Sequence, residues 1–559
     1  MRPSAEGWRG YVLAAALYTA LTLVFFAPSL GRMDKALIGP PEDNMQFHWF
    51  QVHGADALTD PAKPFMSTRD MYYPGGITLY YANYYYYGVL WTVLLRPILH
   101  NDVLIFNLLV LHAFPAAALA GYALTRYFTR DTLAALVGGY VMGFNPAHYA
   151  HALHHVTVAT VQFVPLYALF TLRAARDGRR RDLAAAAAAL TLGALCDWNY
   201  LVYAMVFAAL VLVYRMARER TLLPRRTLVA LAVPGLISAA ALSPLLIPMV
   251  RIGLTQSFKN ELPGHDIYVA DLLGYVVPHV HHWTASWEPV RLINAAMTGT
   301  DWEKPAYLGL VNLALALWAL PRLFRDRWPL YAAWAAFAVL AMGVTLHVAG
   351  RSVAGPLPYA LLQHLPFLEN ARNPSRIVQY AYAFWGVIAA LSFKELLSVL
   401  SRPVVRKTAA AALAALIVAD FGSVSSAMTP VELPPCYRAI QADPDKDFGV
   451  LDVPWDMGRY QMYQTLHRRP IVQGYIGRRV EDVFNDRIVY DPRRLALQRL
   501  QLISNKVKYI VIHKRRLEWD PADKEDRAYW MTLTAVSKAY EKTYTKIHED
   551  AASAVFRVY

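Results

Sequence analysis

A polytopic, all-helical membrane bundle followed by a C-terminal soluble α/β domain is the fold this sequence predicts, on three observations. Of 559 residues, 56% are hydrophobic and only 17% charged, a balance too apolar for an ordinary soluble protein. The apolar residues gather into runs separated by short loops rich in Arg and Lys. After about residue 430 those runs stop and the text becomes that of a water-soluble domain.

Charge and cysteine usage narrow the class. The formal charge of +14 does not indicate nucleic acid, because the cations fall between apolar segments, as positive-inside loops require. Cys196 and Cys436 lie far apart with neither metal nor redox spacing, which excludes a disulfide framework.

Taken in order, Arg2 and Arg9 precede an apolar stretch from Tyr11 to Pro28 without a small-residue cleavage site, expected to be a retained first membrane helix. Further apolar stretches lie near 103–125, 132–146, 156–172, 183–197, 200–214, 227–250, 306–321, 329–349, 376–400 and 408–428, giving about eleven candidate spans. Tyr86–Leu99 is expected to be interfacial or re-entrant. If it crossed, every later basic loop, from Arg126 and Arg130 to Arg402–Lys407, would move to the side opposite the basic N-terminus. Its approach, Tyr80, Tyr81 and Tyr84 to Tyr87, reads as an aromatic belt at headgroup depth, and equally as a half-buried helix packed on the bundle.

With that topology the cytoplasmic loops are short and basic, whereas 30–85, 251–305 and 350–374 are long and face outward. Loops beyond about 15 residues are uncommon unless functional. The expected division is a membrane domain over 1–429 and an extracytoplasmic α/β domain over 430–559. In the latter, Phe448–Val453, Tyr509–His513 and Ala554–Val558 read as strands, and Arg494–Ser504 and Asp526–Tyr540 as helices.

Six constellations carry the chemistry. Glu42 and Asp43, with His48 beyond them, stand where a membrane helix gives way to a watery loop. A carboxylate there suits a general base, Asp43 more than Glu42 because its shorter side chain is more closely held; a solvated loop carboxylate fits the same text. Tyr72-Tyr73-Pro74-Gly75-Gly76 specifies a tight turn whose tyrosines could wall a sugar site or simply pack. His148, His151 and His155 share a helix face and could contact substrate, phosphate or a divalent metal, although no carboxylate is adjacent in sequence. Asp197 sits between two apolar runs and is a functional candidate or a cap on the following helix. The large outer loop carries Asp266, the group His279, His281 and His282, and Glu303, better suited to polar sugar recognition than to metal. Finally, Arg372 and Arg376 flank Asn373-Pro374-Ser375 at a helix start and present two guanidinium groups to a lipid phosphate or pyrophosphate, with headgroup snorkelling as the plainer role.

Together, the acidic residue in the first outer loop, the long polytopic body, the outer arginines and the C-terminal domain resemble the GT-C superfamily of membrane glycosyltransferases. The Pro-Glu-Asp-Asn loop, Tyr73-Pro74-Gly75, the His148–His155 cluster, Glu303 before Tyr307-Leu308-Gly309, Arg372–Arg376 and the stretch from Val450 to Tyr475 carry the likeness, which is to poorly characterised bacterial members. The resemblance implies a hexosyl- or pentosyltransferase of cell-envelope polysaccharide biosynthesis. Its donor would be a polyprenyl-phosphate sugar and its acceptor a glycan, lipid or protein, with inversion at the sugar carbon. By position, Asp43 would be the base and Arg372 and Arg376 the donor-phosphate contacts. A divalent cation, Mg or Mn, would follow from the metal-binding acidic residue of some members; Asp197, Asp266 and Glu303 are possible partners, none clearly matched. Two other readings compete: a lipid-linked-sugar transporter or flippase, which needs no base and would spread polar residues through its spans, and a non-catalytic membrane assembly protein.

Overall fold

In the computed structural model, which describes residues 5–255, 264–362, 364, 372–423, 427–456, 458–477, 488–491 and 493–559, the apolar runs become helices. The outer loops 251–305 and 350–374 and the stretch from Val450 to Tyr475 therefore lie partly outside the described residues. The chain divides into two compact units, one of residues 1–31, 108–247 and 262–426, the other of 32–107, 248–261 and 427–559.

Among the described residues six helices are long and apolar enough to cross a bilayer: Trp8–Phe25, Asp102–Thr129, Val156–Asp177, Asn199–Glu219, Arg225–Leu254 and Pro374–Ser398. The chain is a multi-pass membrane protein. The expectation of about eleven spans meets a length limit. Thr132–Gly143 has 12 residues, about 18 Å at helical rise against a hydrocarbon core of about 30 Å. Tyr86–Leu99 is a helix of 14 residues, also shorter than that core.

Two expected spans, 306–321 and 329–349, fall largely in one helical run, Leu310–Ala341, that contains Pro321 and Pro329. That run is not straight. Trp385 donates its indole N–H to the Leu308 carbonyl at 2.8 Å while its ring packs 5.3 Å from that of Trp334. Tyr275 accepts from the Leu308 amide and donates its hydroxyl to the Ala338 carbonyl at 2.7 Å. A straight helix would separate residues 310 and 334 by about 36 Å. The run therefore doubles back into two apolar arms, and the charged segment Arg322–Arg327 lies between the two prolines, where helical hydrogen bonds are lost.

Both arms lie against the helix Val378–Ser398, whose residues from Val378 to Phe393 are all buried. A helix apolar on every side belongs in the centre of a bundle. Small residues let it approach Thr132–Gly143: a Cβ at Gly138 would sit 2.7 Å from the Gly386 carbonyl oxygen, and one at Gly386 2.6 Å from that of Gly138. Phe337 stacks on Tyr380, centroids 4.9 Å apart.

The second unit joins the first outer loop to the C-terminal region. Ala36–Ile38 pairs antiparallel with Met428–Pro430, and the amides of Tyr72 and Tyr73 donate to the carbonyls of Gln473 and Ile471. The helix Asp43–Thr59 is buried from Asn44 to Ala55 and packs on Arg459–His467, with Trp49 Nε1 donating to Gln464 Oε1 at 2.8 Å. The C-terminal sheet runs in the order Gly449–Val453, Val507–His513, Ser553–Arg557, Thr545–Glu549, the first pair parallel and the others antiparallel. Parallel pairing needs a crossover, and Leu495–Ser504 lies in it. Leu451, Ile510, Ile512, Leu533, Tyr540 and Phe556 build the core of this sheet. The edge strand Thr545–Glu549 escapes sequence reading because all five of its residues are at least partly exposed.

Candidate functional site

Asn145 is the N-cap of the helix Pro146–His154. Its side chain accepts from the His148 amide, and Pro146 occupies the first helical position, as N-terminal signals require. The helix that follows, Pro146–His154, delivers the histidines. His148 turns inward as a strut: its ring nitrogens lie 2.6 Å from the Gly143 carbonyl and 2.7 Å from that of Ala159, and the ring stacks on Phe114. It does not join the other two, although the spacing puts all three on one face.

His151 and His155 instead meet Glu303, their ligand atoms all within 4.8 Å of one another. Glu303 is fully buried. Its Oε1 accepts from Asn373 Nδ2 at 2.8 Å and from Nε and Nη2 of Arg376 at 2.8 and 2.7 Å. Its Oε2 accepts from Ser375 Oγ at 2.6 Å and lies 3.8 Å from His151 Nε2. Burial acts to raise the Glu303 pKa, but Arg376, His151 and His155 outweigh it and hold the carboxyl well below the ordinary glutamate range. His151 is shifted the other way: burial lowers its pKa, opposed by the Glu303 charge.

Asp197 completes the cluster in two directions. Its Oδ1 accepts from the Asn199 amide at 2.9 Å and from Asn199 Nδ2 at 2.7 Å, which ties it to the first residue of the helix Asn199–Glu219. Its Oδ2 lies 3.8 Å from Arg376 Nη1 and accepts from Thr157 Oγ1 at 3.4 Å. A guanidinium carries five N–H donors. Glu303 takes two from Arg376, which leaves donors on a group fixed in place. Arg372 is held differently, its guanidinium 5.8 Å from the centroid of the Tyr268 ring.

Residues whose role the sequence did not show surround this cluster. Asn373 and Ser375, spacers between the two arginines, are Glu303 ligands. Trp302 stacks under His154 at 4.7 Å, signalled only by adjacency to Glu303. His281 packs 6.2 Å from His154.

Two imidazoles and a carboxylate are a donor set found at zinc sites, and imidazole suits zinc better than Mg or Mn, which prefer oxygen. Oε2 of Glu303 keeps acceptor capacity on the side of His151. Tetrahedral zinc needs ligand atoms about 3.4 Å apart, so binding would draw the three groups together by about 1.4 Å from their widest spacing. His151, His155 and Glu303 fit a zinc-like ion on those terms, and such an ion would act as a Lewis acid toward a phosphate oxygen.

The remaining candidates lie elsewhere. Asp266 Oδ1 lies 3.1 Å from His347 Nε2 and accepts from the Thr345 amide at 3.2 Å. In the second unit, Asp43 stands in the first turn of its helix with Glu42 at the N-cap. His48 is buried with its ring edge-on to Phe106, and burial pushes its pKa down to about 4. It is an interior residue there, not an open sugar contact. Tyr72 and Tyr73 are also buried, with Tyr73 Oη donating to Asp447 Oδ1 at 3.0 Å. A Cβ at Gly474 would meet the Tyr72 ring at 2.4 Å, and one at Gly449 the Tyr73 ring at 2.7 Å. The turn therefore packs against glycines instead of offering an open aromatic wall.

Known structures place this fold. Arabinofuranosyltransferase AftD from Mycobacteria is 14% identical with a TM-score of 0.61, over 100% of this chain and 40% of AftD, so the chain spans well under half of that protein. The Archaeoglobus fulgidus oligosaccharyltransferase, tethered with an acceptor peptide containing the NVT sequon, is 12% identical with a TM-score of 0.53, over 98% of this chain and 74% of the other. A structure of that enzyme with Zn and sulfate is 13% identical with a TM-score of 0.50, over 98% and 72%. ArnT from Cupriavidus metallidurans bound to undecaprenyl phosphate is 12% identical with a TM-score of 0.50, over 100% and 99%. The fold is that of the GT-C membrane glycosyltransferases. By sequence the chain belongs to the family described as a domain of unknown function, DUF6311, which matches residues 56–421. A sequence search of curated proteins gives no match.

Proposed function

We propose that this protein is a glycosyltransferase of the bacterial inner membrane that moves a hexosyl or pentosyl group from a polyprenyl-phosphate donor to an extracytoplasmic acceptor. The observation that carries the reading is the convergence of buried Glu303, His151 and His155 with the partly buried Asp197 and Arg376, from segments far apart in sequence, on a GT-C fold. Undecaprenyl phosphate bound to ArnT supports the donor class, and the acceptor peptide tethered to the archaeal enzyme supports transfer to a separate acceptor.

In this mechanism the acceptor hydroxyl attacks the sugar carbon from the face opposite the phosphate. The new carbon–oxygen bond forms as the bond to the phosphate oxygen breaks, so the configuration inverts and polyprenyl phosphate leaves with the electron pair. Asp43 takes the hydroxyl proton. The carboxylates of the later loops are poorer bases: Glu303 is held ionised by four donors, Asp197 accepts twice from Asn199, and Asp266 accepts from Thr345. Arg372 and the remaining donors of Arg376 offset negative charge growing on the leaving phosphate; fixed donors do this without reorganising during the reaction. A zinc-like ion at His151, His155 and Glu303 would add to that stabilisation.

The test is transfer by the purified protein in nanodiscs, from a panel of radiolabelled polyprenyl-phosphate sugars to membrane extract, comparing wild type with Asp43→Asn. Loss of about a hundredfold or more with donor binding intact is expected. Equal transfer by both proteins overturns the role of Asp43. Donor binding without transfer by wild type, with acceptor supplied as purified envelope glycan, favours a transporter.

A further inference from the structure

The second unit contains a cleft of about 500 Å³ that the reaction above leaves unused, a volume within the range of small-molecule sites. Two aromatic residues line it, Trp455 and Tyr529. Trp455 is 47% exposed, although a large apolar ring is usually covered. Tyr529 is fixed by the guanidinium of Arg516, 5.0 Å from its ring centroid. The floor includes Pro41, two residues before Asp43, and a Cβ at Gly458 would sit 3.4 Å from the Glu42 carbonyl oxygen. The cleft therefore opens beside the turn that carries the proposed base.

Its charge is opposite to that of the chain. Asp456, Glu518, Asp520, Asp523, Glu525 and Asp526 line it against one cation, Arg516, in a protein of formal charge +14. Some of these carboxylates have structural duties: Asp523 accepts from the amides of Glu525 and Asp526, and Asp526 pairs with Arg516 at 3.5 Å. The side chains of Glu518 and Glu525 have no charged partner among the described residues. A flat aromatic face beside acceptor-only oxygens suits a pyranose ring, whose C–H face stacks on indole while its hydroxyl or ammonium groups donate to carboxylates. The same carboxylates repel a phosphorylated or uronic-acid glycan and disfavour a lipid phosphate.

We propose that the cleft walled by Trp455 and Tyr529 is a saccharide-binding subsite that holds the acceptor and selects sugars without anionic groups. Calling that saccharide the acceptor rests on the glycosyltransferase reading; the binding itself does not. Adjacency to the Glu42–Asp43 turn lets one chain of sugars occupy the cleft while its terminal hydroxyl reaches the base.

The experiment is saturation-transfer NMR titration of the full-length protein in nanodiscs with mannotriose, chitosan trisaccharide, trigalacturonate, trilysine and calcium chloride. Mannotriose and chitosan trisaccharide are expected to bind and trigalacturonate is not. Trp455→Ala should weaken saccharide binding about tenfold or more, while Trp455→Phe, which keeps an aromatic face, stays within about threefold and controls for folding. Equal binding by wild type and Trp455→Ala, no saccharide binding, equal binding of trigalacturonate, or a response to trilysine or calcium alone each overturns the proposal. If wild type binds the saccharides yet transfers no sugar, the transferase reading fails while the cleft stands as a saccharide site.

Discussion

Replacing Glu303 tests whether the central cluster is held by one carboxylate. Glu303 is fully buried and accepts four hydrogen bonds, two of them from Arg376. Glu303→Gln keeps the shape but removes the charge, leaving a neutral amide oxygen to accept from Asn373 and Arg376 in place of a carboxylate. The one carboxylate left beside Arg376 among the described residues would be Asp197, at 3.8 Å. Breaking a buried pair from one side costs about 3–5 kcal/mol, whereas replacing both partners with apolar residues is far better tolerated. Glu303→Gln and Arg376→Met should therefore each destabilise the membrane unit by about 3–5 kcal/mol in detergent-induced unfolding, and Glu303→Leu with Arg376→Leu by less than either. Single losses below about 1 kcal/mol, or additive losses in the double variant, would refute the argument. The pH dependence has a definite sign. Because the folded-state pKa of Glu303 is depressed, its contribution is complete above the unfolded glutamate value of about 4.3 and is lost as pH falls toward the folded value. The acid limb of a wild-type stability profile should flatten in Glu303→Gln.

Other expectations follow from how each group is held. Arg372→Gln should weaken binding of undecaprenyl phosphate by about tenfold or more, since hydrogen bonds to charged groups contribute about 1.5–3 kcal/mol. It should leave the unfolding midpoint unchanged, as the guanidinium rests on Tyr268; a lowered midpoint with unchanged binding would make it structural. Gly474→Ala places a methyl group 2.4 Å from the Tyr72 ring and should cost about 1–3 kcal/mol by overpacking. Proteolysis within residues 66–80 would report the loosened turn, and an unchanged digestion rate would show that the ring yields freely.

The sequence reveals this molecule unevenly, for physical reasons. Helical runs were legible because burying an apolar stretch leaves a local signature, whereas the two stretches at 306–321 and 329–349 fall largely in one run, Leu310–Ala341, that folds back on itself. Arg372, Arg376 and Asp197 were legible as charges at the ends of apolar runs, where ionisable groups are costly without a purpose, and Glu303 as an acidic residue of the long outer loop. What could not be read was partnership. The carboxylate that His151 and His155 lack in sequence comes from Glu303, about 150 residues on, and no periodicity encodes that distance. His148 shares their spacing yet is bound by two carbonyls, because a helix face is wider than a site and tertiary packing decides which side chains turn in. The tyrosines of the first outer loop mislead for the same reason: an aromatic pair beside Pro74-Gly75-Gly76 reads as a surface wall until Gly449 and Gly474 supply the space that buries it. Those glycines lie almost 400 residues away, in the domain read as soluble. That loop belongs structurally with the C-terminal sheet, so substitutions in either should alter the setting of Asp43 before they alter the arginines.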